Sequence, residues 1–276
     1  MAEGRIGLKG VFNKFTEVKA RVYNELETQK SIDNVFGFIS ADENTESSIL
    51  IANISTYLAS KKYNVCILDN KVFYPNMYKI LGCNAPKKGQ GLLPLLQTDK
   101  VDYSEQIIKT KYNNLFILSS SPQDLFEEYF DIELEAVSRL IEELKQMFDY
   151  VLIDIPNNPA FELCVGSIQN INIGFFVWNE HINCAHNMTK FLDYISSIGC
   201  STAKLTNVIL NNLYGLPFDQ EIIKELGFKL ICQFPHRKEI LNLALDGKSY
   251  ILDSMFMDKK YKYNMEILIK FLTERL

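Results

Sequence analysis

Short apolar runs that alternate with helix-forming segments constrain the fold of this 276-residue chain more than any other feature. Because consecutive residues of each run are apolar, both faces of the strand must be covered, which is typical of a parallel sheet between layers of helices. The runs are VFGFIS (35–40), NVCILD (64–69), NLFILS (114–119), YVLID (150–154), NIGFFVW (172–178), LTNVIL (205–210) and FKLICQF (228–234). Apolar residues at helical spacing predict helices over 47–60, 124–147, 184–197, 218–226 and 261–276. The alternation predicts a doubly wound α/β fold with a mainly parallel sheet and helices on both faces.

The domain organisation follows from the lack of an internal repeat, a low-complexity tract or a linker rich in proline and glycine. We therefore expect one α/β domain over residues 31–276. Residues 1–30 differ, since they carry one apolar helical stripe with the basic residues largely off it. The stripe consists of Leu8, Val11, Phe12, Phe15, Val18, Val22 and Leu26. This pattern predicts an amphipathic helix over 8–26 that packs on its own domain, docks on a partner or a second copy, or lies on a membrane surface.

Charge and composition exclude several classes of function. The formal net charge is -5 and the pI is near 5.4, so the overall field repels a phosphate backbone and we expect no nucleic-acid partner. Six cysteines occur without CxxC pairs, which is typical of reduced core residues in the cytoplasm. No apolar stretch of about 18 residues and no secretory signal is seen. We expect a cytoplasmic protein, with contact to a membrane periphery open only through the 8–26 segment.

Metal and catalytic motifs are not found in the sequence. The His181 and His186 side chains are five residues apart and do not share a helix face, so no metal site is expected there. Neither GxSxG nor HExxH occurs, and no set of residues suggests a nucleophile with its base.

The loop after the first apolar run is the place where an α/β sheet would hold phosphate. It reads ADENTESS (41–48), and IANISTYLASKKYNVCILD and YPNMYKILG follow. This order resembles the opening of the MinD and ParA-like P-loop ATPases, whose loop is close to KGGxGKTT. The resemblance extends from about Val35 to Leu276 and implies the deviant P-loop fold of that superfamily.

Aligned with that family, the loop of this chain has lost its phosphate-binding residues. The first lysine falls on Asp42, the glycines on Glu43, Asn44 and Glu46, the P-loop lysine on Ser47 and the magnesium-binding hydroxyl on Ser48. A carboxylate about 4 Å from a phosphate oxygen costs on the order of 4 kcal/mol at an effective dielectric of 20. Side chains also replace hydrogen where the backbone must approach the ligand. We expect no catalytic residue and no cofactor, with weak binding of ATP and magnesium as the alternative.

The same loop residues have a simpler interpretation. Asn44 or Thr45, followed by Ser47 and Ser48, is ordinary chemistry for capping the N-terminus of the helix that begins here.

Two further strand ends complete the resemblance at the phosphate side. The family's DAD motif appears as Asp69, Asn70 and Lys71, and FDYVLIDIPNNP (148–159) resembles its Walker B strand, with Asp154 where magnesium is bound through water. Since Lys71 replaces an aspartate while Asp42 replaces the first lysine of the loop and Glu43 and Glu46 replace glycines, we predict an ion pair between Lys71 and Asp42, Glu43 or Glu46.

The adenine side of the family's site has counterparts in two later segments. KLTNVILNNLYG (204–215) is similar to the strand whose asparagine reads adenine, which implies Asn211, and ICQFPHRKEILNLALDGKSYI (231–251) resembles the second adenine loop, which begins at Pro235. The resemblance thus implies a vestigial nucleotide site, which consists of Ser47, Ser48, Asp69, Asp154, Asn211 and Pro235.

Residues 88–130 carry a GLLPLL and NLFILSSSP block that resembles the CpaE/TadZ pilus-localisation proteins and the capsule tyrosine kinases. Two hypotheses follow. The first is a non-catalytic scaffold or localisation factor, a pseudo-ATPase that positions a pilus or secretion apparatus through a protein partner or a homodimer. The second is a weak ATP-binding dimerisation switch that acts in partition or positioning.

Overall fold

A computed structural model describes residues 33–42, 44–98, 101–158 and 161–274. Its centre is one eight-stranded sheet in the order β3-β4-β2-β5-β1-β6-β7-β8. All neighbouring strands are parallel except β3, which is antiparallel to β4. The strands are β1 (Val35–Ser40), β2 (Val65–Asp69), β3 (Ile108–Lys109), β4 (Leu115–Ser119), β5 (Tyr150–Ile155), β6 (Ile173–Trp178), β7 (Asn207–Asn211) and β8 (Lys229–Phe234).

Helices cover both faces of this sheet, as the sequence predicts. They are α1 (Ser47–Ser60), α2 (Met77–Ile80), α3 (Leu92–Gln97), α4 (Tyr103–Gln106), α5 (Leu134–Met147), α6 (Glu162–Asn170), α7 (Asn183–Ser197), α8 (Glu221–Glu225), α9 (Lys238–Leu245), α10 (Tyr250–Asp253) and α11 (Lys259–Thr273). Each face has its own apolar core, and β1 contributes to both, with Val35 and Ile39 on one side and Phe36 and Phe38 on the other. The doubly wound, mainly parallel α/β fold is therefore confirmed.

The predicted helix over 124–147 is wrong in its first part. A 3-10 turn occupies Phe126–Tyr129, and the α-helix begins only at Leu134. The Glu128 side chain accepts a hydrogen bond from the Leu125 backbone N–H at 2.6 Å, which closes a single local turn. That contact satisfies the backbone N–H of Leu125 without the hydrogen bonds of a continuous α-helix.

The central helix α1 packs across β1 and β2, and its polar residues are buried together with its apolar ones. The Asn53 Oδ1 atom accepts hydrogen bonds from the Ser249 hydroxyl at 3.1 Å and from the Ile251 N–H at 2.9 Å. Thr56 bonds the same serine at 2.6 Å. These bonds join the C-terminal segment to the helix that follows the first loop, and so fix where that loop ends.

The predicted amphipathic helix over 8–26 lies outside the described residues, and the division into residues 1–30 and 31–276 stays a prediction. The six cysteines lie among the described residues and form no disulfide, and five of them are buried. Within the described part of the chain, no helix combines the length and the apolar character needed to cross a membrane.

Candidate functional site

The candidate site lies where parallel strands end at the same edge of the sheet. The loop over 41–46 follows β1. On one side of β1, Asp69 is the last residue of β2 and Asp154 is the last but one of β5. Asn179 and Asn211 stand at the corresponding ends of β6 and β7 on the other side. Ligand sites of open α/β sheets form at this edge, next to the strand where the winding reverses.

The backbone of the loop keeps a conformation that favours glycine. Glu46, at a position where the family resemblance implies glycine, has φ 52° and ψ 36°, which is the left-handed region. This conformation costs a residue with a Cβ on the order of 1 kcal/mol. Glu46 precedes α1 without a side-chain cap, so the prediction that Asn44 or Thr45 caps this helix is wrong. Burial raises the pKa of the half-buried Glu46 carboxyl, and the charge of His236 partly offsets this.

The centre of the site is the ammonium group of Lys71. Its Nζ atom lies 2.8 Å from Asp154 Oδ1 and donates to the Ser47 hydroxyl at 2.8 Å. The hydroxyls of Ser48, at 3.3 Å, and Ser40, at 3.4 Å, are also within its reach. The lysine side chain is 22% exposed and that of Asp154 is 0% exposed, so the pair is closed from most of the solvent.

Both carboxylate oxygens of Asp154 are engaged. The Ser48 hydroxyl donates to Oδ2 at 2.5 Å. The Oδ1 atom forms the ion pair with Lys71, whose geometry does not meet that of a hydrogen bond. The ammonium thus contacts both the hydroxyl and the carboxylate that the resemblance assigns to magnesium, and these two groups are also hydrogen-bonded to each other. The prediction that Lys71 pairs with the loop acids differs from the structure, which gives it Asp154; Glu43 lies outside the described residues.

A second buried carboxylate, Asp69, lies beside this pair. The Lys71 backbone N–H donates to its Oδ1 atom at 3.3 Å, while the Met77 N–H, at 3.2 Å, and the Ser119 hydroxyl, at 3.1 Å, donate to Oδ2. Burial, and then repulsion from Asp154, raises the pKa of Asp69 to about 6, although these hydrogen bonds and the Lys71 charge lower it.

The raised pKa of Asp69 predicts how stability depends on pH. The folded chain holds a proton on Asp69 at pH values where the unfolded chain has lost it, so the free energy of unfolding falls as the pH rises from about 4 to about 6. A difference of about 2 pKa units corresponds to about 3 kcal/mol. In urea denaturation at pH 4 and pH 7, Asp69→Asn should remove this part of the pH dependence. The same change at the exposed Asp193 should leave the dependence as it is in the wild type, and an unaltered slope in Asp69→Asn would contradict the assignment.

Two asparagines hold the loop from its other side. The Asn211 side chain donates to the Thr45 carbonyl at 3.0 Å, and that of Asn179 donates to the Asn44 carbonyl at 3.0 Å. Asn211, which the resemblance assigned to adenine, thus supports the loop backbone here. It also lines a cavity of about 300 Å³ together with Glu46, His236 and Arg237.

The structure therefore brings Ser47, Ser48, Asp69 and Asp154 together, with Asn211 across the loop from them. Pro235 is partly buried after β8, and its neighbour His236 lines the cavity. Sequence reasoning missed Ser40 and Asn179, although each comes at the end of an apolar run, where a polar residue was the signal. Among the described residues, no group of three or more His, Cys, Asp or Glu side chains could hold a metal ion.

The Glu180 side chain binds the backbone of the loop that follows β7. Its carboxylate accepts hydrogen bonds from the N–H groups of four consecutive residues, with distances between 2.8 and 3.4 Å. The donors are Leu213, Tyr214, Gly215 and Leu216. Successive backbone N–H groups of this kind form an anion-binding concavity, which an acid of the chain itself fills here.

Replacing Glu180 by glutamine should loosen this loop. An amide places at most one acceptor atom against the four N–H groups, and charged hydrogen bonds contribute more than neutral ones, so we expect a loss of about 2 kcal/mol in the free energy of unfolding. Hydrogen exchange should show reduced protection at residues 213–216. The control Glu221→Gln changes an exposed acid of α8. Equal protection of the amides of residues 213–216 in both variants would contradict the role given to Glu180.

Solved structures that are similar to this chain include MinD and ParA-family ATPases. MinD of Pyrococcus horikoshii OT3, complexed with Mg-ADP, has a TM-score of 0.72 and 19% identity over 88% of this chain and 97% of its own. A ParA family ATPase from Chlorobium tepidum TLS has a TM-score of 0.72 and 18% identity over 86% and 98%. The MinC:MinD cell division protein complex of Aquifex aeolicus gives 0.68 and 19% over 87% and 96%. No protein-family model and no curated protein matches the sequence.

Proposed function

We propose that this chain, which has the fold of MinD and the ParA-family ATPases, is a non-catalytic scaffold or localisation factor. It is a pseudo-ATPase in which a lysine of the chain takes the place of the metal. The observation that carries the proposal is the Lys71 ammonium, 2.8 Å from Asp154 and 3.3 Å from the Ser48 hydroxyl.

The charge of Lys71 argues against magnesium at this point. A divalent cation about 4 Å from an ammonium group is repelled by on the order of 8 kcal/mol at an effective dielectric of 20. Lys71 would have to leave Asp154 to admit the metal, and Asp154 is fully buried. Magnesium nucleotide does not fit the residues as they stand, and no hydrolytic step is derived for this chain.

The residues of the loop after β1 also argue against phosphate binding. A phosphate cradle needs free N–H groups, close backbone approach and positive charge. In this chain the loop carries the Asp42 and Glu46 carboxylates and serine where the resemblance implies the P-loop lysine. The half-buried Glu46 side chain also borders the cavity on the adenine side.

A positioning role is supported by what the structural neighbours are. MinD is a cell division ATPase and is solved in complex with MinC. On this basis the proposed role is to bind a protein partner, or a second copy of itself, and so to localise a larger assembly. The block over 88–130, with its resemblance to CpaE/TadZ proteins, favours a pilus or secretion apparatus as that assembly.

A weak ATP-binding switch is the second candidate, and one observation favours it. The Lys71 ammonium lies 2.8 Å from Ser47 Oγ, so a lysine from the end of β2 stands at the position of the missing P-loop lysine. In this alternative Lys71 would turn from Asp154 to a phosphate oxygen when nucleotide enters.

Calorimetric titration with Mg·ATP and with ADP distinguishes the two candidates. The scaffold predicts no heat of binding up to millimolar nucleotide in the wild type, Asp154→Ala and Lys71→Met. Micromolar binding by the wild type that both variants lose, while the remote Lys270→Met keeps it, would overturn the scaffold and establish the switch.

A further inference from the structure

Two consecutive apolar residues, Met255 and Phe256, are the most exposed large apolar residues of the described chain. Met255 is 86% exposed and Phe256 is 84% exposed. They lie in the loop over 254–258, which joins α10 to α11. Side chains with this exposure pack on almost nothing in the fold, so they protrude from the surface and do not line a groove. We name these two residues the apolar tip.

Hydrogen bonds fix the chain on both sides of the apolar tip. The Ser254 hydroxyl donates to a carboxylate oxygen of Glu239 in α9 at 2.9 Å and accepts from the Phe256 N–H at 3.3 Å. After the tip, the Asp258 N–H donates to the Tyr250 hydroxyl at 3.2 Å. The loop is thus held in place while its apolar side chains face solvent. Little further ordering of the backbone is needed when these side chains bind.

The chain after the apolar tip is basic, in contrast to the protein as a whole. Residues 254–263, SMFMDKKYKY, carry three lysines and one acid, whereas the net charge of the whole chain is -5. The acid is Asp258, which pairs with Arg237 and accepts a hydrogen bond from the Tyr261 N–H at 2.8 Å. Over the wider stretch 237–263, six basic residues occur with four acids, so the balance stays positive. The three lysines that follow the tip are exposed, and they are Lys259, Lys260 and Lys262.

An exposed tyrosine lies on the same side of α11 as the first of these lysines. Tyr263 is 63% exposed and follows Lys259 by four residues, which places both on one face of the helix. Tyrosine combines an apolar ring with a polar hydroxyl and is enriched where water meets a lipid layer. The surface beside the apolar tip therefore combines cations with an aromatic residue that suits such a boundary.

The shape and charge of this surface favour lipid over a protein partner. A standard protein interface covers about 800 Å² on each partner, which two protruding side chains do not supply. A lipid surface needs no complementary pocket, and apolar side chains can enter it singly while cations remain at the level of the headgroups. Because the cations here are lysines, the lipid that fits is anionic.

We propose that the apolar tip inserts Met255 and Phe256 into an anionic lipid surface, while the lysines at 259, 260 and 262 contact the headgroups. The sequence left a membrane contact open only through residues 8–26, and the loop over 254–258 is a separate site for one. A single anchor of this size gives reversible attachment. The contact involves no nucleotide, so it does not depend on whether the chain is a scaffold or a switch.

Sedimentation of the full-length chain with vesicles tests the proposal. On vesicles of equal parts phosphatidylglycerol and phosphatidylcholine, the wild type should bind at least about tenfold more strongly than on phosphatidylcholine alone, and salt should weaken the binding. Met255→Ser with Phe256→Ser should lower the partition coefficient by at least about tenfold. Tyr74→Ser with Leu125→Ser removes two other exposed apolar side chains and should leave it unchanged.

A matched pair of variants tests the role of charge. Lys259→Gln with Lys260→Gln should lower the partition coefficient by at least about fivefold. Lys61→Gln with Lys62→Gln makes the same change in net charge at two exposed lysines after α1 and should have no effect. Since all four side chains of these pairs are exposed, urea denaturation should show the same stability in both variants.

Tryptophan fluorescence reports whether the tip itself enters the lipid. The only tryptophan of the chain, Trp178, is fully buried, so it supplies a constant background. Phe256→Trp should show a blue-shifted emission on the anionic vesicles and quenching by brominated lipid. Leu125→Trp, which places the indole in the turn before α5, should show neither effect.

Four results would overturn the proposal. The first two are a wild type that does not bind the anionic vesicles and an equal partition of the wild type and Met255→Ser with Phe256→Ser. The third is binding that only Lys14→Glu with Lys19→Glu abolishes, which would assign the contact to residues 8–26. The fourth is a dimer, seen by sedimentation equilibrium without lipid, that Met255→Ser with Phe256→Ser dissociates, which would place a second copy on the tip.

Discussion

Replacing Lys71 by methionine should lower the free energy of unfolding by about 3 kcal/mol, the largest loss of stability that we expect from one substitution. Methionine keeps most of the length of the side chain but removes the charge beside Asp154, which is fully buried. Among the described residues, the Asp154 carboxylate would then keep one hydrogen-bond partner, the Ser48 hydroxyl at 2.5 Å. Breaking a buried pair costs more than the pair itself contributes, because an uncompensated charge remains.

Urea denaturation with three variants measures this effect. Lys71→Met combined with Asp154→Asn should recover at least half of the loss, since the buried charge of Asp154 is then removed together with its cation, and Asp69 no longer faces a second carboxylate. Lys224→Met removes the cation of an exposed pair with Glu221 and should change stability by less than about 0.5 kcal/mol. A loss below about 1 kcal/mol in Lys71→Met would show that water reaches Asp154 and replaces the ammonium.

The second large effect concerns a rebuilt phosphate site. A chain with Asn44→Gly, Glu46→Gly, Ser47→Lys and Lys71→Asp regains a loop lysine and two loop glycines, loses the Glu46 carboxylate and regains the second aspartate after β2. Removing one carboxylate at about 4 Å from phosphate is worth on the order of 4 kcal/mol at an effective dielectric of 20. The affinity for Mg·ATP should therefore rise by at least about a thousandfold.

Calorimetry on the rebuilt chain measures its affinity for Mg·ATP, and a chain that differs from it at one position is the control. The same chain with methionine in place of the new lysine at 47 keeps the glycines and the aspartate but lacks the positive charge. It should bind at least about tenfold more weakly than the rebuilt chain. Equal affinities in the wild type, the control and the rebuilt chain would mean that the loop residues do not limit nucleotide binding.

The strands could be predicted from the sequence because strands that are buried on both faces consist of consecutive apolar residues. The major helices could be predicted because their apolar residues recur at helical spacing. The seven predicted runs overlap β1, β2 and β4–β8. The short strand β3 has two residues, Ile108 and Lys109, which is too few to show a period. The segment before α5 forms a separate 3-10 turn in which the Leu125 N–H donates to the Glu128 carboxylate, a local contact that apolar spacing does not encode.

The candidate site could be predicted only in part, because its residues are far apart in sequence. The ends of β2 and β5 meet since these strands are neighbours and Asp69 pairs with Asp154 in register. Sequence reasoning paired Lys71 with the loop acids, because opposite charges are exchanged between the loops after β1 and β2 in the comparison with the family. The structure gives it Asp154, because strand order, and not sequence distance, decides which charges face each other.

The ion pair of Lys71 with Asp154 has one further consequence for how the molecule responds to its surroundings. A dissolved cation leaves its site on dilution or when a chelator removes it, whereas a lysine is tethered and keeps a constant, high effective concentration at its carboxylate. The edge of the sheet around Asp154 should therefore keep one shape in EDTA and in millimolar magnesium alike. A chain of this design carries the counter-ion of Asp154 on its own side chain, so neither dilution nor a chelator can remove it.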